Sequence, residues 1–186
     1  MIRGLACFTL ATACACASQG SSSPDVSVVP MSDRIVSGGG SSLTIGSSAT
    51  TVGIRTDLAA TPDAAFRALQ AVYDDLKIPI ADLSPTDRVA GNQQFKARRR
   101  IVGVPMQSYF DCGGTPGQPN AETFDIVITV MSNVTAARND ASTLTTRATA
   151  IASDPGHGQG NQLRCSTTGE LEARIAKLVR EKLATR

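Results

Sequence analysis

The segments FDIVITVM (residues 124–131) and STLTTRATAI (residues 142–151) decide the fold of this 186-residue chain. Apolar residues fill every second position from Phe124 to Val130, which is the period of a β-strand with one buried face. The same alternation from Leu144 to Ala150 predicts an antiparallel partner. The residues between the segments suffice for a hairpin loop, so we expect a sheet built on this pair.

A first helix is predicted before the hairpin. Thr61-Pro62-Asp63 places a capping threonine, a proline at the first helical position and an early acid in succession. The helix should stop near Lys77, before Pro79. Its apolar stripe consists of Phe66, Leu69, Val72, Tyr73 and Leu76.

A second helix is predicted at the end of the chain. Thr167 and Glu170 have capping-box spacing, and the acids lie early and the bases late, as the helix dipole favours. Its stripe consists of Leu171, Ile175, Leu178 and Val179. Residues 52–56, 78–80 and 93–104 are further extended candidates. The chain is therefore predicted to be α+β, an antiparallel sheet with two helices on one face, in the order β-α-β-β-β-β-α.

Residues 1–17 have the pattern of a bacterial signal peptide. Arg3 gives a charged start, and an uncharged stretch from Gly4 to Ala17 ends in small residues. Sequences ending at Cys14 or Cys16 resemble a lipobox, and we place lipidation on Cys14, with Cys16 as the alternative. Cleavage before Ser18, without lipid, stays open. The expected location is the periplasmic face of the outer membrane, or the periplasm or medium if Ser18 becomes the first residue.

Residues 18–50 are rich in Ser, Gly and Thr, which predicts a flexible tether. The segment 26–29 could instead add an edge strand. Residues 51–186 are one ordinary domain by length. The 18 basic and 16 acidic residues of the chain give no reason to expect nucleic acid as a partner.

Cys112 and Cys165 are the two cysteines outside the N-terminal segment. A pair in an oxidising compartment predicts one disulfide, worth about 4 kcal/mol in the chain-entropy model. A redox or metal pair is the alternative, but there is no Cys-x-x-Cys spacing and only one histidine. We expect no metal and no cofactor.

The order of these features resembles one known family. A lipobox-like start, a Ser/Gly tether and the helix entry TPDAAFRAL (residues 61–69), followed by strands and a closing helix, is similar to the helix-grip domains of BamC-type envelope lipoproteins. The likeness covers residues 50–186. The resemblance implies an outer-membrane lipoprotein that contacts protein partners, and it assigns no functional residue. We expect no counterpart of that family's second domain within residues 51–186.

Lys96, Arg98 and Arg100 belong to the densest charge cluster of the chain. On a strand they would share one face and form a row suited to phosphate or carboxylate groups. We interpret the row as a contact for anionic lipid headgroups or for another envelope protein. The alternative is a solvated face or a charged edge that prevents aggregation.

Two glycine-rich loops are weaker candidates. Residues 154–161 lack the Lys and Ser/Thr of a phosphate loop, and His157 has no paired nucleophile motif, so a flexible loop is expected. Residues 112–119 are either a partner-binding loop or an ordinary surface excursion. The acids Asp74, Asp75, Asp82 and Asp87 have no metal-binding spacing.

These observations favour a non-catalytic envelope lipoprotein, an accessory or interaction module that contacts another envelope component. A carrier that holds a small apolar ligand between helices and sheet is the second hypothesis, and a hydrolase is the third. A cavity of about 300 Å³ or more between helices and sheet would indicate the carrier.

Mass spectrometry of the mature N-terminus tests the lipidation prediction. We expect a diacylated Cys14 as the first residue, and loss of the lipid mass in Cys14→Ala, because the thiol carries the lipid. The matched control is Cys16→Ala, which should keep it. An unmodified Ser18 at the N-terminus of the wild-type chain would contradict lipidation.

Overall fold

The computed structural model describes residues 25–30, 50–115, 117–156 and 162–185, with side chains from residue 53 onward. The strands are β1 (Asp25–Pro30), β2 (Thr50–Leu58), β3 (Asp82–Ser84), β4 (Val89–Ala97), β5 (Arg100–Ile101), β6 (Val104–Pro105), β7 (Phe110–Asp111), β8 (Gly114–Thr115), β9 (Gln118–Pro119), β10 (Asp125–Ala136), β11 (Ser142–Ser153) and β12 (Gln162–Thr167). The helices are α1 (Pro62–Asp75), α2 (Asn120–Thr123) and α3 (Glu170–Ala184), with a 3-10 turn at Met106–Ser108.

The predicted hairpin is the centre of the sheet. Strands β10 and β11 pair along their full length, from Asp125 opposite Ser153 to Ala136 opposite Ser142. Strand β4 pairs with the free edge of β10, and β3 pairs with β4. Every described strand pair is antiparallel, so the coarse prediction of a mixed fold with an antiparallel sheet is confirmed.

The other edge of β11 is shared by two strands. Its first half, Ser142 to Arg147, pairs with β2, and its last residues, Ala150 to Ser153, pair with β12. Strand β1 extends the sheet beyond β2. Residues 25–30 lie in the predicted tether, in which residues 26–29 had the option of an edge strand, and they form an edge strand. The signal-peptide prediction and the rest of the tether lie outside the described residues.

Alternate residues of β10 and β11 form one buried face of the sheet. Ile126, Ile128, Val130 and Leu144 are at most 1% exposed, and α1 and α3 pack on this face and on each other. The Tyr73 hydroxyl of α1 lies 3.0 Å from Ser132 Oγ of β10. Burial raises the pKa of Tyr73 to about 12, so this hydroxyl keeps its proton.

Helix α1 begins as the sequence predicts. Thr61 is the N-cap, its side chain accepts a hydrogen bond from the Ala64 amide at 3.4 Å, and Pro62 is the first helical residue. The helix ends at Asp75 with Leu76 as its C-cap, slightly before the predicted end near Lys77.

The predicted capping box of α3 is wrong. Gly169, at φ 85°, is the N-cap and makes no side-chain cap. Thr167 accepts a hydrogen bond from the Gly169 amide at 3.0 Å, where a capping box would need the Glu170 amide, and its hydroxyl donates to Glu172. The reason is that α3 begins directly after Gly169, so Glu170 is its first residue and not the third residue after the N-cap, as a capping box requires.

Glu172 fills the gap between β2 and β12. Ala148 lies between the residues of β11 that pair with these two strands, and its amide donates to Glu172 Oε1 at 3.1 Å. The side chain is 0% exposed. Burial is the main cause that raises the pKa of Glu172 to about 7, against the opposing effect of its hydrogen bonds.

The disulfide is confirmed. Cys112 and Cys165 are joined at an S–S distance of 2.03 Å, and both are nearly buried. Cys112 directly follows β7, which pairs with the last residues of β12, so the bond ties the segment before β10 to the strand that leads into α3.

Between β4 and β7 the chain forms a small separate hairpin. Strand β4 ends at Ala97, and Arg99 adopts φ 64°. Strands β5 and β6 then pair across a turn at Val102 and Gly103, with φ of 43° and 79°. A β-branched residue at positive φ is strained, and Val102 is 47% exposed, so it gains little burial in return.

We expect the unfolding free energy to fall as pH rises from about 4.5 to about 7. In this range the folded state holds the proton on Glu172 and the unfolded state releases it, so ionisation costs up to about 3 kcal/mol. Urea denaturation across this range measures it. Glu172→Gln keeps an acceptor for the Ala148 amide and should lose this slope. The control is Glu170→Gln, exposed on the same helical turn; an unchanged slope in Glu172→Gln contradicts the assignment.

We expect Val102→Asn to raise the unfolding free energy by about 1 kcal/mol, because asparagine tolerates the left-handed conformation that strains valine. The shift of the urea midpoint measures it. Leu83→Asn, which alters another exposed apolar residue in ordinary strand backbone, should give no gain. A midpoint for Val102→Asn at or below that of the wild type would show that the turn is not strained.

Candidate functional site

The sheet face opposite the helices carries the candidate site. Strand register places Lys96 beside Val127, Val127 beside Ile151, and Ile151 beside Arg164. Ile151 is 38% exposed. Lys96 and Arg164 therefore flank a short aliphatic strip formed by Val127 and Ile151. The row runs across β4, β10, β11 and β12. We call this sheet face, formed by the residues that alternate with the buried ones, the outer face.

A groove of about 690 Å³ opens at the end of the sheet next to this strip. Its walls come from the end of β4, the start of β10, the end of β11 and the start of β12. The lining residues are Lys96, Ala97, Arg98, Asp125, Ile126, Val127, Ser153, Asp154, Pro155 and Gln162. We refer to this cavity as the end groove.

The two basic residues of the end groove differ in whether they form an ion pair. Arg98 Nε lies 3.4 Å from Asp125 Oδ1, and both side chains are more than half exposed, so this ion pair is weak and exchangeable. Lys96 is exposed and has no ion pair among the described residues. The groove thus offers the exposed cation of Lys96, one exposed ion pair, the carboxylate of Asp154, and the polar side chains of Ser153 and Gln162.

The expected row of three basic residues on one strand face is wrong. The chain turns at Arg99 because this residue adopts a left-handed backbone, so β4 ends before Arg98. Lys96 and Arg98 line the end groove together. Arg100 lies instead on the β5–β6 hairpin, where its Nη1 donates to the Gly103 carbonyl at 3.3 Å.

The glycine loop that follows β11 meets the same groove. Asp154 and Pro155 line it, and Asp154 Oδ1 accepts a hydrogen bond from the Gly156 amide at 2.8 Å. His157 lies outside the described residues. In the second loop, β8 and β9 pair as a short hairpin, and Asn120 Nδ2 donates to the Cys112 carbonyl at 3.1 Å.

A second cavity of about 350 Å³ lies further along the outer face. Met131 of β10 lies over Gly91 of β4, and Arg147 of β11 lies over Gly53 of β2, since a Cβ atom at either glycine would meet these side chains. The two long side chains therefore lean apart. The cavity between them is lined by Val89, Met131, Ser132, Asn133, Thr145 and Arg147.

Sequence reasoning missed one wall of the site and a buried residue that supports it. Strand β12 was not predicted, although it supplies Gln162 to the groove; its sequence, Gln162–Thr167, lacks a clear alternation. Glu172 was counted among the early acids of the last helix that complement the helix dipole. Its position one residue after an apolar Leu171, on the buried side of α3, was the available signal.

The described residues contain no cluster of three or more metal-ligating side chains. Within the same residues, no helix is long and apolar enough to cross a membrane. Comparison of the chain with protein-family models, with curated proteins and with solved structures found no match to any of them.

Proposed function

We propose that this protein is a non-catalytic interaction module of the bacterial cell envelope, exported and held by a lipid anchor, which contacts another envelope component through the end groove. The proposal rests on one main observation: two features that are far apart in the sequence lie side by side in the structure. The basic end of β4 and the glycine loop after β11 line one cavity of about 690 Å³.

The chemistry of the groove suits an acidic polypeptide segment. Lys96 can pair with a carboxylate, and Arg98 can exchange Asp125 for a partner's carboxylate, because its present ion pair is exposed. Ser153 and Gln162 can form hydrogen bonds with the backbone of the bound segment, and Val127 can contact one of its apolar residues. Electrostatic complementarity of this kind gives specificity and a fast association rate.

The carrier hypothesis has less support. A carrier in a helix-grip-like fold would open a cavity between the helices and the sheet. Neither of the two cavities described above is lined by a residue of α1 or α3. The helix-grip likeness itself stays a proposal, supported by two long helices packed on a mostly antiparallel sheet. The hydrolase hypothesis depended on His157, outside the described residues, and stays a prediction.

Site-specific photo-crosslinking in the source bacterium tests the proposed contact. A photoreactive residue replaces Gln162, which is exposed and lines the groove. We expect a discrete adduct of higher mass in the envelope fraction. Lys96→Glu in the same chain should lower its yield about fivefold, because the substitution reverses the exposed charge of Lys96.

The matched control places the photoreactive residue at Arg180, which is exposed on α3, away from the groove. It should give no adduct of the same mass. An adduct of equal yield from Arg180, or an adduct from Gln162 that Lys96→Glu leaves unchanged, would reject the end groove as the contact surface.

A further inference from the structure

The β5–β6 hairpin presents an apolar residue at a free tip. Val102 is 47% exposed, and a Cβ atom built on its neighbour Gly103 would meet no atom within 4 Å. The base of the hairpin is fixed, since Ile101 is 3% exposed and Val104 packs against the core. The tip therefore projects from an anchored base into open space.

Positive charge surrounds the base of this tip. Arg98, Arg99 and Arg100 are all exposed, and the hydrogen bond from Arg100 Nη1 to the Gly103 carbonyl places its guanidinium beside the turn. Asp125 pairs with Arg98. Within the described residues no carboxylate pairs with Arg99 or Arg100.

The backbone conformation of the turn is unfavourable for the valine at position 102. Val102 adopts φ 43°, which asparagine or glycine would adopt at lower cost. An exposed, strained valine contributes little to the fold, and strain of this kind concentrates at contact sites. Burial in the folded domain therefore does not account for an apolar residue at this position.

We propose that this hairpin docks the domain on a bilayer surface that contains anionic lipids, with Val102 entering the interface and Arg99 and Arg100 contacting the headgroups. The inference goes beyond the end-groove contact and does not depend on it. An apolar tip with basic residues at its base combines the two contributions to interfacial binding, burial of apolar surface and attraction to anionic headgroups.

A bilayer fits these observations better than an acidic protein does. The hairpin spans only Arg100 to Pro105, whereas each partner of a stable protein interface contributes about 20–30 residues. Arg99 has no carboxylate partner among the described residues, and cations without a fixed partner suit the diffuse potential of an anionic membrane.

Tryptophan fluorescence tests the proposal, because the chain has no Trp of its own. The full-length chain carries Val102→Trp and is mixed with phosphatidylcholine vesicles that contain about one-quarter phosphatidylglycerol. We expect emission to move to shorter wavelength and to be quenched by brominated lipid. Pure phosphatidylcholine should give neither effect. The signal reports the surroundings of residue 102, and Leu83→Trp in the same full-length chain shows what attachment through the N-terminal segment alone would give.

Three controls make the result specific. Leu83→Trp, at another exposed apolar position, should not respond to vesicles. Arg99→Gln with Arg100→Gln should weaken the Val102→Trp response about 25-fold, at about fivefold for each charge. Lys177→Gln with Arg180→Gln, an equal charge change on α3, should leave it unchanged.

The proposal is overturned if anionic vesicles leave the emission of Val102→Trp unchanged, or if they shift the emission of Leu83→Trp by the same amount. A response to an acidic polypeptide but not to vesicles would also overturn it and would assign the hairpin to a protein partner. A negative vesicle result would not bear on the crosslinking result at Gln162, and a negative crosslinking result would not bear on the vesicle result. The two experiments probe different surfaces with different reagents.

Discussion

The buried hydrogen bond from the Ala148 amide to Glu172 is the contact on which the rest of the structure depends. One edge of β11 must serve two strands, and the amide at the junction has no strand partner on that side. A buried amide without an acceptor costs about 1–3 kcal/mol. Glu172 supplies the acceptor from α3, and Thr167 of β12 donates to the same carboxylate.

This junction fixes the position of everything that follows β11. Strand β12 pairs with the last residues of this edge, and Glu172 supplies the acceptor for the amide in the gap beside it. Cys165 then faces Cys112, and the disulfide holds β12 against the segment before β10. Gln162, at the start of β12, reaches the end groove as a consequence. The wall of the candidate site therefore depends on a buried carboxylate in a helix that does not line it.

The two proposed contact surfaces share one cause, the left-handed turn at Arg99. Had β4 continued as an ordinary strand, three basic residues would have formed one row. The turn instead divides them between the end groove and the β5–β6 hairpin. One cluster in the sequence thereby serves two surfaces of different chemistry: an open groove with polar walls, and a projecting apolar tip with cations at its base.

The sequence by itself determined the elements whose signals are local. The alternation from Phe124 to Val130 predicted β10, Thr61-Pro62-Asp63 predicted the start of α1, and two cysteines in the body predicted their pairing. Only the tertiary structure decided the role of Glu172, the pairing of β12 and the division of the basic cluster. Each of these depends on atoms distant in the chain, such as the Ala148 amide, or on a backbone reversal at Arg99 that no residue type signals, so no local pattern could reveal them.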